Sequence, residues 1–324
     1  MLKRWWPWLL KGGLSVGLIW WLLSKVDIQG AWAKVESLDP EMLALAVVLM
    51  LAQLTFGAAR WGIVLRALGA KLTALKIFLL YYVGAFFAIV LPGLVGGDAV
   101  RVWATVKAGE PLVVSVNSVM LERASAVLSL LVLVAVTEPL LLERVPNLPG
   151  PWVFPLLTVG GIAGILVLSV MDHLPESLMR WRAVRGLAYL AADTRRVAFH
   201  AKTGLPAFAA ALVGNINLSL VMWALAVGLH IPVDVVDCLV LVPPVFLITT
   251  LPISIAGWGV REAAMVTSFG FIGIDSGQSL LLSLVFGILN MVIALPGGAA
   301  FLLVGDHTLP KETESFPSPE GLVE

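Results

Sequence analysis

The sequence predicts an all-α polytopic membrane helix bundle made of two inverted repeats, each with a re-entrant broken helix. Three observations predict it. The chain is 59% hydrophobic and 13% charged, with a mean hydropathy of +0.97, whereas a soluble domain is ~45–50% apolar and ~25% charged. Apolar runs near the ~20 residues that span a bilayer recur along it. A proline–glycine–arginine segment occurs twice.

The runs that can span cover 8–24, 42–65, 112–137, 152–171, 204–229 and 279–304. Lys3 and Arg4 precede the first, and Ser24-Lys25-Val26-Asp27 follows it without a small-x-small cleavage site, so an uncleaved first helix is expected. Two further stretches, 75–91 and 235–251, each run into Leu-Pro and a glycine-rich turn. Segment 172–203, with Arg180, Arg182, Arg185, Arg195, Arg196 and Lys202, reads as a cytoplasmic amphipathic segment on the membrane surface. The tail 306–324 carries Pro, Ser and Glu with little to bury and is expected to be disordered. Residues 1–305 therefore form a single transmembrane domain, with repeat one at about 42–137 and repeat two at about 204–304.

The repeat is gapless over its break. Leu91-Pro-Gly-Leu-Val-Gly-Gly-Asp-Ala-Val-Arg101 aligns with Leu251-Pro-Ile-Ser-Ile-Ala-Gly-Trp-Gly-Val-Arg261, keeping Leu, Pro, Gly, Val and Arg in register. Hydrophobicity alone does not produce matched Pro, Gly and Arg. Charge then chooses the topology. With both Leu-Pro segments re-entrant and the N-terminus cytoplasmic, all of the 21 Lys and Arg except Lys25, Lys34, Arg123, Arg144 and Arg261 fall inside or at the inner interface. A full crossing at 75–91 would put the 172–203 arginines outside, against the positive-inside bias. The two re-entrant segments then enter from opposite sides, the inverted-repeat construction of many secondary transporters. Irregular backbone at membrane depth persists only when buried in protein or lining a polar cavity.

Arg101 and Arg261 lead the candidate residues. Each follows a helix break, where free backbone N–H groups favour an anion, and a guanidinium grips phosphate with two hydrogen bonds. A structural ion pair or an interfacial arginine reaching water is the alternative for both. Asp98 and Glu262 flank them, either as partners of the arginines or as proton carriers. Glu122 and Arg123 interrupt an apolar helix, and Glu122 with Arg101 is the pairing to test. Gly97 and Gly257 belong to the breaks, and Trp258 occupies the slot equivalent to Asp98. Asn117, Asn215, Asn217, Asn290 and Gln53 read as interhelical hydrogen-bonding groups. The lone Cys238 excludes an intramolecular disulfide, and His173, His200, His230 and His307 stand apart without metal-ligand spacing. No phosphate loop, Ser-His-Asp set or HExxH is present, so no cofactor and no direct use of ATP are expected.

At Gly96-Gly-Asp-Ala-Val-Arg101, Leu121-Glu-Arg123 and Ile255-Ala-Gly-Trp-Gly-Val-Arg-Glu262 the chain resembles the lysylphosphatidylglycerol synthase transmembrane, or flippase-like, family. That family includes the membrane half of the bacterial multiple peptide resistance factor and stand-alone members. The resemblance covers roughly residues 10–305 and implies lipid translocation, with Asp98, Arg101, Arg261 and Glu262 along the lipid path. Only a short tail follows Val304, so a stand-alone member without lipid synthesis is expected. The substrate implied is a phospholipid or polyprenyl-phosphate lipid. The partners implied are a second copy of the chain or a separate lipid-modifying enzyme, with no nucleic acid. A cell inner membrane location follows. An intramembrane lipid-modifying enzyme and a small-anion secondary transporter are the alternatives.

Single cysteines at Gly93 and Ile253, in a background with Cys238 replaced, should label slowly and from opposite sides of the membrane. Labelling of both from one side would refute the inverted arrangement.

Overall fold

The computed structural model describes residues 37–91, 96–146, 150–171, 190–197, 199–250 and 258–304, and among them there are helices and no strands. The first apolar run, the break residues Pro92, Gly93, Pro252 and Gly257, and the C-terminal tail lie outside the described residues. Among the described residues the principal helices are, in order, α1 Pro40–Ala67, α2 Ala74–Val90, α3 Gly96–Lys107, α4 Leu112–Arg144, α5 Val153–Ser169, α6 Ala201–Gly228, α7 Val235–Thr249, α8 Val260–Gly270, α9 Ser276–Ala294 and α10 Pro296–Val304. Residues 190–197 are also helical.

Among the described residues, four helical stretches are long and apolar enough to cross a bilayer: Pro40–Ala67, Leu112–Arg144, Ala201–Gly228 and Ser276–Leu302. The 17 residues of α2 reach only ~25 Å and the 15 of α7 ~22 Å at 1.5 Å per residue, short of a ~30 Å hydrocarbon core. Local chemistry sets their ends. Asp39 accepts from the Glu41 N–H and Pro40 takes the first turn of α1, where a missing N–H costs nothing. Thr73 caps α2 through the Lys76 N–H. Asp234 and Asp237 exchange side-chain-to-backbone hydrogen bonds at the start of α7. The Asp237 N–H and the Arg144 guanidinium hold the Asp234 carboxyl below the usual carboxylate range. That contribution to stability is present above the ordinary carboxylate pKa and fades as pH falls.

After each short helix the chain turns back on itself. In the first hairpin, α2–α3, Gly97 lies against the Gly84 carbonyl and Ala88. At its open end the Lys71 N–H donates to Glu110 Oε1 at 2.8 Å. In the second hairpin, α7–α8, Ser268 Oγ donates to the Leu241 carbonyl at 3.1 Å. The order of long helix, short helix, break, short helix and long helix therefore occurs twice, as α1–α4 and α6–α9.

The long helices α1 and α6 pack together and run antiparallel. At one end the Asp39 N–H donates to Gly228 O at 3.0 Å. Midway, Asn217 donates to Leu49 O and to Gln53 Oε1, both at 2.9 Å. At the other end Val64 and Ala207 share a core cluster. Each hairpin follows the C-terminal end of its long helix, so the two start from opposite ends of this pair. The largest core surrounds the second hairpin with α6 and α9, and a smaller one joins α1, α2, α3 and α4 around the first. Helix α10 closes the first hairpin from outside. Tyr82 Oη donates to Ile293 O at 2.6 Å, and Phe87 meets Phe301 edge-on at 5.1 Å.

On one helix burial is reversed relative to a water-soluble bundle. Helix α5 buries Thr158 and Ser169 while exposing Leu156, Leu157, Val159, Ile162, Leu166 and Val167. Asparagines work between helices as expected: Asn215 donates to Ser129 Oγ at 2.9 Å and Asn117 to Asp193 Oδ2 at 2.6 Å. Asn290 is exposed. Segment 172–203 is described only at 190–197 and 199–203. Residues 190–197 bury Leu190, Ala191, Thr194 and Val197 against the bundle, and Ala201–Thr203 belong to α6.

A Cβ on Gly97 would come within 2.7 Å of Ala88 Cβ and 3.0 Å of Ala88 N, both on a neighbouring helix that cannot yield. Gly97→Ala should cost about 1–3 kcal/mol, read as a lower unfolding temperature in maltoside micelles. Gly160→Ala on α5, where a Cβ meets open space, should be neutral or stabilising by up to ~1 kcal/mol.

Candidate functional site: two buried arginine centres

The sequence-predicted residues assemble into two separate centres, one at each hairpin. In the first, Arg101 on α3 is 4% exposed and Glu122 on α4 is 1% exposed. Arg101 Nη2 donates to Glu122 Oε2 at 3.0 Å and to Asp98 Oδ1 at 2.5 Å. Arg123 completes the group as a fork on Asp98, Nε to Oδ2 at 2.9 Å and Nη2 to Oδ1 at 3.0 Å. Adjacent positions on a helix point ~100° apart, so Glu122 turns inward to Arg101 while Arg123 reaches round to the carboxylate one helical turn before it.

Arg60 is the member that sequence reading placed at the cytoplasmic interface. Its Nε donates to Glu122 Oε1 at 2.9 Å, and Nη2 contacts the same oxygen. Helix α1 continues to Ala67, so Arg60 lies two turns inside its end and meets α4 through Glu122. An ionisable residue within an apolar run was the available signal. Trp61 and Tyr81 also went unread; each ring lies 5.1 Å from the Arg101 guanidinium carbon. Trp61 Nε1 is held by Ser118 Oγ at 3.1 Å. The centre carries three arginines and two carboxylates, a formal charge of one positive. Arg101 Nη1 is buried and has no hydrogen-bond partner among the described residues.

The second centre is tighter and neutral. Arg261 Nη2 donates to Glu262 Oε1 at 2.5 Å, and Nε donates to the same oxygen and to Ser283 Oγ, each at 3.0 Å. Ser283 Oγ donates in turn to Glu262 Oε1 at 3.0 Å, and the Gly259 N–H donates to Glu262 Oε2 at 2.5 Å. Gly259 has φ +83°, which admits the turn into α8 without the strain a side chain brings. The Arg261 guanidinium lies 5.0 Å from the Trp258 ring and 5.3 Å from that of Phe286. Trp258 thus holds Arg261 from the slot where Asp98 holds Arg101, with an indole face in place of a carboxylate. Gly257 is outside the described residues, and among those described no hydrogen bond or ion pair joins the two centres.

No group of three or more His, Cys, Asp or Glu residues suited to a metal ion occurs among the described residues. Helices with apolar exteriors around buried arginine–carboxylate centres define a multi-pass α-helical membrane protein. Residues 8–298 match the family model of the lysylphosphatidylglycerol synthase TM region, and the chain belongs to that family. Comparison with curated proteins finds no match.

Glu122→Ala would strip Arg60 of its carboxylate partner and leave the buried Arg101 with Asp98 alone, and should cost about 3–5 kcal/mol. Arg123 is 53% exposed on its side chain, so Arg123→Gln should cost no more than ~1 kcal/mol. Thermal unfolding in the same detergent ranks the two, and an equal loss would contradict the central role of Glu122.

Proposed function

We propose that this protein is a lipid translocase that moves a phosphate-bearing phospholipid or polyprenyl-phosphate lipid between the leaflets of the inner membrane. In this reading the N-terminus is cytoplasmic. The two hairpins are re-entrant segments of inverted repeats, and the arginine centres face the headgroup path. The observation that carries it is the first centre, a net positive cluster of Arg60, Arg101 and Arg123 with Asp98 and Glu122 inside an apolar bundle. Each such residue costs ~2.5–3.5 kcal/mol at the bilayer centre on insertion scales, and so many together call for a role beyond packing.

Further support comes from the antiparallel α1–α6 pair, whose hairpins start at opposite ends. That is the geometry alternating access needs around a central site. A phosphate crossing hydrocarbon alone bears the full desolvation cost of its charge. Arginine donors along the route offset that cost while the acyl chains stay in lipid. Family membership agrees with a substrate drawn from the membrane.

Leaflet exchange of fluorescent phospholipids in proteoliposomes tests this. The wild type should accelerate exchange, and Arg101→Gln and Arg261→Gln should each slow it at least about tenfold, ~1.4 kcal/mol on the barrier. No acceleration with anionic, aminoacylated or polyprenyl-phosphate lipids would sink the proposal.

A further inference from the structure

We infer that the Asp98 carboxylate is an internal stand-in for the lipid phosphate, and that the incoming headgroup displaces it from Arg101 and Arg123. This rests on the translocase reading for the identity of the anion, but its geometry belongs to the first centre alone. Two guanidinium groups from different helices converge on Asp98, giving one carboxylate three N–H donors within 3.0 Å. A tetrahedral phosphate suits such convergence better than a planar carboxylate, because its oxygens spread to meet donors from more directions. It can also accept from Arg101 Nη1, the buried donor that Asp98 and Glu122 leave unmet. A buried donor without a partner is costly, so the exchange relieves a cost that the resting arrangement carries.

The two carboxylates are not equivalent. Glu122 is enclosed between Arg60 and Arg101, with its side chain 2% exposed. Asp98 lies on the open side, 18% exposed, and its other partner, Arg123, is mostly exposed. Ion pairs at exposed positions are weak, so the Arg123–Asp98 pairing opens first and leaves Asp98 held by Arg101 alone. Glu122 meanwhile keeps Arg101 in place and balances part of its charge. Asp98 is also in the first turn of α3, where the positive end of the helix dipole favours an anion.

The second centre lacks the exchangeable element. Trp258 takes the Asp98 slot, and Glu262 is bound to Arg261, Ser283 and the Gly259 N–H. Among the described residues, no carboxylate there is shared with an exposed arginine. Exchange is therefore confined to the first hairpin, and Asp98 is a positioning residue that competes with the ligand.

Affinity of the full chain in maltoside for short-chain dihexanoyl phosphatidylglycerol, with inorganic phosphate as a parallel ligand, tests the exchange. Asp98→Asn removes the competitor and should tighten binding about tenfold. Arg123→Gln removes a donor and should weaken it, and Asp98→Glu should restore wild-type affinity. Asp98→Ser replaces Asp98→Asn should the latter not run as a single species on gel filtration. Opposite signs for the Asp98 and Arg123 variants support displacement. A gain with inorganic phosphate as well assigns the site to phosphate in general, and a gain with the lipid alone assigns it to a headgroup. Weaker or unchanged binding by Asp98→Asn, or by Asp98→Ser in its place, overturns the inference even where wild-type leaflet exchange is intact. Tighter binding without leaflet exchange keeps the inference and removes the translocase.

Discussion

Glu122 holds the first half of the bundle together by accepting from two arginines on two other helices. Arg60 arrives from the long helix α1 and Arg101 from the returning arm of the first hairpin. In an apolar surround neither arginine can stay charged at low cost alone, nor can it shed its proton, because a guanidinium remains protonated. The carboxylate therefore sets where α3 rests against α1 and α4. The close contact of Gly97 with Gly84 and the Trp61 and Tyr81 rings on Arg101 all presuppose that placement. Buried pairs of this kind add little net stability, yet losing one partner is severe. Their effect is to specify one arrangement.

The halves are alike in architecture and different in chemistry. Both place an arginine just after a helix break and meet it with a side chain from the following long helix: Glu122 in the first, Ser283 in the second. The first half adds arginines and ends with surplus positive charge. The second balances one arginine with the adjacent Glu262 and stacks it between Trp258 and Phe286. A shared frame thus carries one open, charge-rich centre and one closed, neutral centre.

Outside these centres the bundle follows the rules of lipid as solvent. Hydrophobic burial gives little drive between helices when lipid tails are equally apolar, so small residues and interhelical hydrogen bonds take a larger share. Asn217 with Gln53, Asn215 with Ser129 and Asn117 with Asp193 supply such bonds. Arg144, bound to Asp234 and Asp237, ties the end of α4 to the start of the second hairpin.

Helical class, the apolar runs and the positions of the breaks were all legible in the residues. Hydropathy over twenty positions, a proline that removes a donor and a glycine that permits a turn act locally, and no distant contact changes them. The matched arginines at 101 and 261 were visible for the same reason, as was Glu122 as a partner for Arg101. Arg60 joining the centre, Arg123 reaching Asp98, Ser283 meeting Arg261 and Trp258 covering it were decided by tertiary structure. Arg60, Arg123 and Ser283 each reach their partner from a different helix, and the face each helix turns to its neighbour depends on how the whole bundle packs. In a helix that is apolar all round, the sequence marks no inward face, so only the assembled bundle determines which charges meet.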